Sequence, residues 1–259
     1  MSLELAAVLI ALGLLAAFLS GLLGIGGGLI VVPLLLYVPA ALGLPAFDVK
    51  AAAAIGVAQV MVASGSGTFA NYRRGLVHRR LAGVIIGAMM LGAFASGWGS
   101  QFVPSKALLV LFASLASLGA ASMLLPVTGQ ELGPLHPTFN PLLALLCGLA
   151  VGAVIGMVGS GAFLLIPLQV YALGIPTRTA MATGLAAGFP TAVSALVGKA
   201  LSSQLPILPA AVVCLLAIPG AQLGTVLSAR LSARTLRRLY AAVVLTIALR
   251  LWIDVLSPG

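Results

Sequence analysis

The sequence predicts an all-α, polytopic membrane bundle of two inverted-topology repeats, five segments each, with discontinuous or re-entrant helices at glycine-rich breaks. Three observations lead there. The composition is 61% hydrophobic and only 7% charged, where a water-soluble domain carries about a quarter charged residues. Apolar runs long enough to span a bilayer recur along all 259 residues, and the mean hydropathy is +1.22. The second half also repeats a pattern of the first with its loop charges exchanged.

Runs bounded by Gly, Pro and charge place the first five segments at about 3–23, 29–43, 48–70, 81–101 and 104–125. The second five fall at about 141–157, 163–174, 177–198, 207–229 and 233–255. Between them PVTGQELGPLHPTFN, residues 126–140, is rich in turn formers. It divides a first membrane repeat, 1–125, from a second, 141–259. The opening MSLELAAV lacks a basic n-region and carries Glu4, so the first run is expected to stay as a span rather than be removed as a signal peptide.

The repeat rests on two alignments. A shift of 134 lays Pro33 on Pro167, Tyr37 on Tyr171 and Gly27 on Gly161. A shift of 128 lays GAFASGWGSQFVPSKAL at 92–108 over GAQLGTVLSARLSARTL at 220–236. Two such matches in the same order point to duplication. The loop after the third segment holds Arg73, Arg74, Arg79 and Arg80, while its counterpart in the second half holds only Lys199. The loop after the fourth holds only Lys106, while its counterpart holds Arg230 and Arg234. Basic residues favour the cytoplasmic side, so equivalent loops are expected on opposite faces: an inverted repeat. This places 71–80 and 230–238 in the cytoplasm and both termini outside.

Segments two and seven are short. At 1.5 Å per residue the stretch 29–43 reaches roughly 22 Å, less than a ~30 Å hydrocarbon core. Pro33 and Pro167 each remove an amide donor and are expected to kink these runs. Just before them stand GIGGGLIVVP at 24–33 and VGSGAFLLIP at 158–167. Each pair of segments therefore reads as helix, break and half-helix. Gly26, Gly27 and Gly28 lie at one break, and Ser160, Gly161 and Ala162 at the other. The first amides of a half-helix lack intrahelical partners and sit at its positive end, so an anion is a natural guest. Close helix packing also explains small residues, but their recurrence beside a short segment in both halves favours a substrate site.

The G-x-G-G-G-(x)4-P stretch, its weaker second copy and GTVLSARLSARTLRRL at 224–239 resemble the sulfite exporter TauE/SafE family of membrane anion transporters. The similarity runs over essentially the whole chain. It implies transport, with export the favoured direction, of a small sulfur-containing anion such as sulfite, a sulfonate or thiosulfate, in a bacterial inner (plasma) membrane. The second copy departs from the triple glycine, reading S-G-A at 160–162.

The remaining candidates have two readings each. Lys50 and Arg178 begin the third segment of each half and could balance an anion, Arg bidentately, or snorkel to the interface. Lys199 reads as an interfacial anchor. Gln59, Ser64, Ser66 and Thr68 in the third segment, and Thr183, Thr191 and Ser194 in the eighth, offer neutral donors to an anion or bond their own helices. Gln169 and Gln222 line a cavity or join helices.

The four acids, Glu4, Asp48, Glu131 and Asp254, lie at segment ends or in connectors. A mid-membrane carboxylate relay or cation site is therefore not expected. His78 and His136 lie in connectors without ligand spacing, and Cys147 and Cys214 read as small core residues, so no metal or cofactor is expected. Ser160 lacks an activating base nearby, which argues against an enzyme. The net charge of +9 sits mostly in connectors with no aromatic-interleaved face, so nucleic acid is not a partner. The partners expected are the small inorganic or organosulfur anion and the lipid bilayer; a homo-oligomer is compatible with the sequence. An alternating-access carrier is the leading expectation, and an anion-selective channel the alternative.

Overall fold

A bilayer offers no water to unpaired backbone, so long apolar runs must close their hydrogen bonds internally. The computed structural model describes residues 1–23, 28–73, 79–124, 140–161, 164–165, 168–173, 177–228, 230–231 and 233–256. Every element among them is helical. The first half holds α1 (Leu3–Leu23), α2 (Gly28–Ala41), α3 (Val49–Arg73), α4 (Arg79–Gly99) and α5 (Ser105–Leu124). The second holds α6 (Pro141–Val158), α7 (Thr177–Leu201), α8 (Ile207–Cys214), α9 (Ala217–Ser228) and α10 (Ala233–Leu256). A 3₁₀ turn at Ser100–Phe102 follows α4, and a π-helical turn at Leu168–Ala172 precedes α7.

α2 runs through both Pro33 and Pro39. Each proline withholds one amide from the ladder, but the helix is held by burial of Leu29, Val31, Val32 and Leu35. The seventh segment, expected as one run over 163–174, shows a π-helical turn within it. The ninth is divided at Leu215–Leu216 into α8 and α9. Pro219 accounts for that division, because it cannot donate to the carbonyl of Leu215, four residues back. Pro167 and the connector 125–139 lie outside the described residues.

Among the described residues, four stretches are long and apolar enough to cross a membrane: Leu3–Leu22, Ala82–Phe102, Pro141–Val158 and Ile207–Leu227. Large apolar side chains cover the exterior; Leu91, Phe102, Leu146, Ile207, Leu223 and Leu256 are all more than half exposed. Such a surface is at home in lipid rather than water. The chain is a multi-pass membrane protein.

Inside, two apolar clusters meet at α3. Ile55 of α3 packs with Leu9, Leu29, Phe112, Val213 and Leu251. Val57, two residues on, packs with Ile85, Met89, Val151 and Ile155. Between α4 and α6, glycines bring backbones together. A Cβ on Gly148 would come 2.8 Å from Ala88 and 3.0 Å from the Ile85 carbonyl. Gly152 stands against Met89, and Gly156 against Ala93 and Gly97. The residue numbers rise together, so α4 and α6 run parallel. In the same way Gly13 faces Val213 and Gly21 faces Ala221, so α1 runs parallel to α8 and α9. Small residues at these seams permit the close packing on which helix association in lipid depends.

Candidate functional site

The second break is built by the end of α6. Asn140 caps the start of that helix, accepting from the amides of Leu142 at 3.0 Å and Leu143 at 3.4 Å, with Pro141 at the first helical position. The helix ends at Val158 because Gly159 turns left-handed, with φ of 78°, while its amide still donates to the Ile155 carbonyl at 2.8 Å. Residues 160 and 161 are not helical.

This turn is enclosed by small residues. A Cβ on Gly159 would strike the backbone of Ala53 in α3. One on Gly56, a turn later, would come 3.5 Å from the Gly159 carbonyl oxygen. Gly28, the first residue of α2, stands against the same carbonyl, and a Cβ there would also come 3.1 Å from Ser160 Cβ. The start of α2 and the break after α6, far apart in sequence, therefore touch. The first amides of α2 have no intrahelical acceptor. The carbonyl of Gly159, just past the end of α6, stands at the first residue of α2.

Several polar atoms near these elements are buried without a partner. Ser160 is 2% exposed and its Oγ has none. Thr183 and Thr191 of α7 are fully buried with unpartnered hydroxyls, and Gln169 in the π-helical turn has neither amide atom paired. Buried polar groups are nearly always satisfied, and each one that is not costs about 1–3 kcal/mol.

Of the residues singled out from sequence, the structure brings Gly28, Ser160 and Gly161 to one place. Lys50 lies one turn before Ala53 on α3, its Nζ donating to the Gln101 carbonyl at 2.8 Å. Gln59 is fully buried, but its Nε2 donates to the Gly13 carbonyl of α1 at 2.9 Å, leaving only Oε1 unpartnered. Its donor end thus ties α3 to α1. Ser64 bonds back to the Val60 carbonyl at 2.6 Å, and Ser194 reaches across to the Met90 carbonyl at 2.7 Å. Gly26, Gly27 and Ala162 lie outside the described residues, as do the side chains of Ser66 and Arg178.

One residue is not where the sequence placed it. Lys199, read as an interfacial anchor, is fully buried at the end of α7. Its Nζ donates to Ser100 Oγ at 3.2 Å, the Met157 carbonyl at 3.4 Å and Gln204 Oε1 at 3.4 Å. The signal in the sequence was a lysine ending an apolar run with no acid near it in the chain.

A model of the family described as Sulfite exporter TauE/SafE matches residues 9–251. The chain belongs to that family. Two relatives agree in class. A protein named probable membrane transporter protein from Xylella fastidiosa (strain 9a5c) is 28% identical over 253 residues, covering 93% of each chain. Its counterpart from strain Temecula1 / ATCC 700964 is 29% identical over 249 residues, again covering 93% of each. No solved structure matches significantly. Family and relatives point to a TauE/SafE transporter and not an enzyme.

Proposed function

We propose that this TauE/SafE member carries a small sulfur-containing anion, such as sulfite, a sulfonate or thiosulfate, across the bacterial inner membrane. The solute is held where the two breaks meet and is released to either side by alternating access, with export the favoured direction. The observation that carries this reading is the contact of Gly28 with Gly159 and Ser160, next to an unpartnered buried hydroxyl. The residues assigned to the anion are Gly26, Gly27, Gly28, Ser160, Gly161 and Ala162, together with Ser66, Thr183, Lys50 and Arg178. Gln59 contributes by its position on α3, and Pro33 and Pro167 are structural.

The parallel course of α4 with α6, and of α1 with α8 and α9, supports an inverted relation between 1–125 and 141–259. In a bundle that alternates up and down, five segments followed by an inverted copy make the fourth and sixth parallel. They also make the first and ninth parallel. A non-inverted copy would make both pairs antiparallel. Inverted repeats about a central site suit alternating access.

Purified protein in liposomes tests the reading. Flux of sulfite, thiosulfate or a small sulfonate is expected to saturate and to show counterflow. Flux that rises linearly without counterflow would identify a channel instead, and no flux of any of the three would overturn the substrate class. Ser160→Ala is expected to raise the KM about 10- to 100-fold, the worth of one hydrogen bond to a charged ligand. Its thermal stability should equal or exceed that of the parent, since an unpartnered buried hydroxyl is lost. A parental KM would remove Ser160 from the site.

A further inference from the structure

A buried anion is held best when a cation pairs with it beside the backbone donors. Two ammonium groups converge beside the break. Lys50 Nζ holds the Gln101 carbonyl, and Lys199 Nζ holds Ser100 Oγ, the preceding residue of the same 3₁₀ turn. Lys199 also reaches the carbonyl of Met157, two residues before the glycine at which α6 breaks. Through that carbonyl it stands near the Gly159–Ser160 turn; it is fully buried, and the acceptors it bonds among the described residues are all neutral.

Among the described residues no carboxylate balances it, and Lys199 makes no ion pair. Asp48 is committed to Ser105 Oγ at 3.1 Å and to the Lys50 amide at 3.4 Å, and Asp254 is paired with Arg250 at 3.1 Å. Glu4 lies in the first turn of α1, and Glu131 is outside the described residues. The three bonds of Lys199, at 3.2–3.4 Å, are all longer than the about 2.7–2.9 Å of a strong charge-assisted bond. A buried charge held loosely by neutral groups is a poor structural device but a suitable receiver for a mobile counter-ion.

We propose that Lys199, positioned by Ser100 and Gln204, is the cationic residue that binds the transported oxyanion beside the second break. This rests on the anion-transport reading above. Ser100 Oγ also lies 2.7 Å from the Gly97 carbonyl and 3.0 Å from Gln204 Oε1. Gln204 Nε2 donates to Ser202 Oγ at 2.8 Å, so the loop after α7 is tied to the ammonium. The conformation described shuts Lys199 from solvent, and the anion reaches it when the ends of α4 and α7 part.

Three proteins in liposomes test the proposal with thiosulfate as probe: the parent, Lys199→Gln and Lys199→Arg. Lys199→Gln keeps a donor for the Met157 carbonyl but carries no charge. It is expected to raise the thiosulfate KM at least about tenfold and to lose the rise in melting temperature that thiosulfate gives the parent. Lys199→Arg restores part of both. Unchanged KM and unchanged thiosulfate stabilisation in Lys199→Gln would overturn the assignment. Should that variant fail to insert, Ser100→Asp decides. A carboxylate there supplies a permanent counter-ion, which is expected to abolish flux while raising the melting temperature; parental flux in Ser100→Asp would overturn the proposal. If the parent itself moves no sulfur anion, the transport reading fails first, and the two failures are told apart.

Discussion

Gly28→Ala is expected to lower anion flux at least about 100-fold, the cost of moving a site by the order of 1 Å. A single methyl suffices because its neighbours cannot give way: the nearest atoms are the backbone carbonyl of Gly159 and, at 3.1 Å, Ser160 Cβ. Either α2 backs away from α6 or the left-handed turn is distorted, and both open the junction. The measurement is initial thiosulfate uptake into liposomes, normalised to inserted, monodisperse protein. Parental flux would mean that the start of α2 can slide off Gly159 without consequence, and that the substrate is held elsewhere.

The second large effect is on stability. Gly159→Val places a β-branched residue at φ of 78° and drives its Cβ into the backbone of Ala53. The left-handed conformation costs an L-residue about 1–2 kcal/mol, and overfilling a packed site costs about 1–3 kcal/mol more. Thermal unfolding in detergent should therefore begin about 10 °C lower, with transport lost. Gly159→Asn separates the two causes. Asparagine tolerates the left-handed region but still carries a Cβ, so it should recover the conformational share and not the steric one. Full recovery in Gly159→Asn would show that contact with Ala53 is unimportant.

Much of the fold was legible because lipid leaves the backbone few options. Apolar runs predicted over 3–23 and 141–157 became α1 at Leu3–Leu23 and α6 at Pro141–Val158. Asn140 and Pro141 announce the start of α6, and Gly159 its end, by chemistry confined to a few neighbouring residues. Local rules failed where neighbours outweighed them. The seventh segment, read as one run, holds a π-helical turn at Leu168–Ala172. Pro219 was passed over although it divides α8 from α9.

By itself the sequence determined an all-helical membrane protein of TauE/SafE type, most of its segments, and the end of the sixth near residue 157. Periodicity, composition and turn chemistry act over a few residues, and those can be read along the chain. Only the tertiary structure decided that Gly28 meets Gly159 and Ser160, that Gln59 spends its donor on Gly13, and that Lys199 is buried among Ser100, Met157 and Gln204. Burial, and contact between groups on different helices, depend on which helix ends converge. No local pattern encodes that convergence.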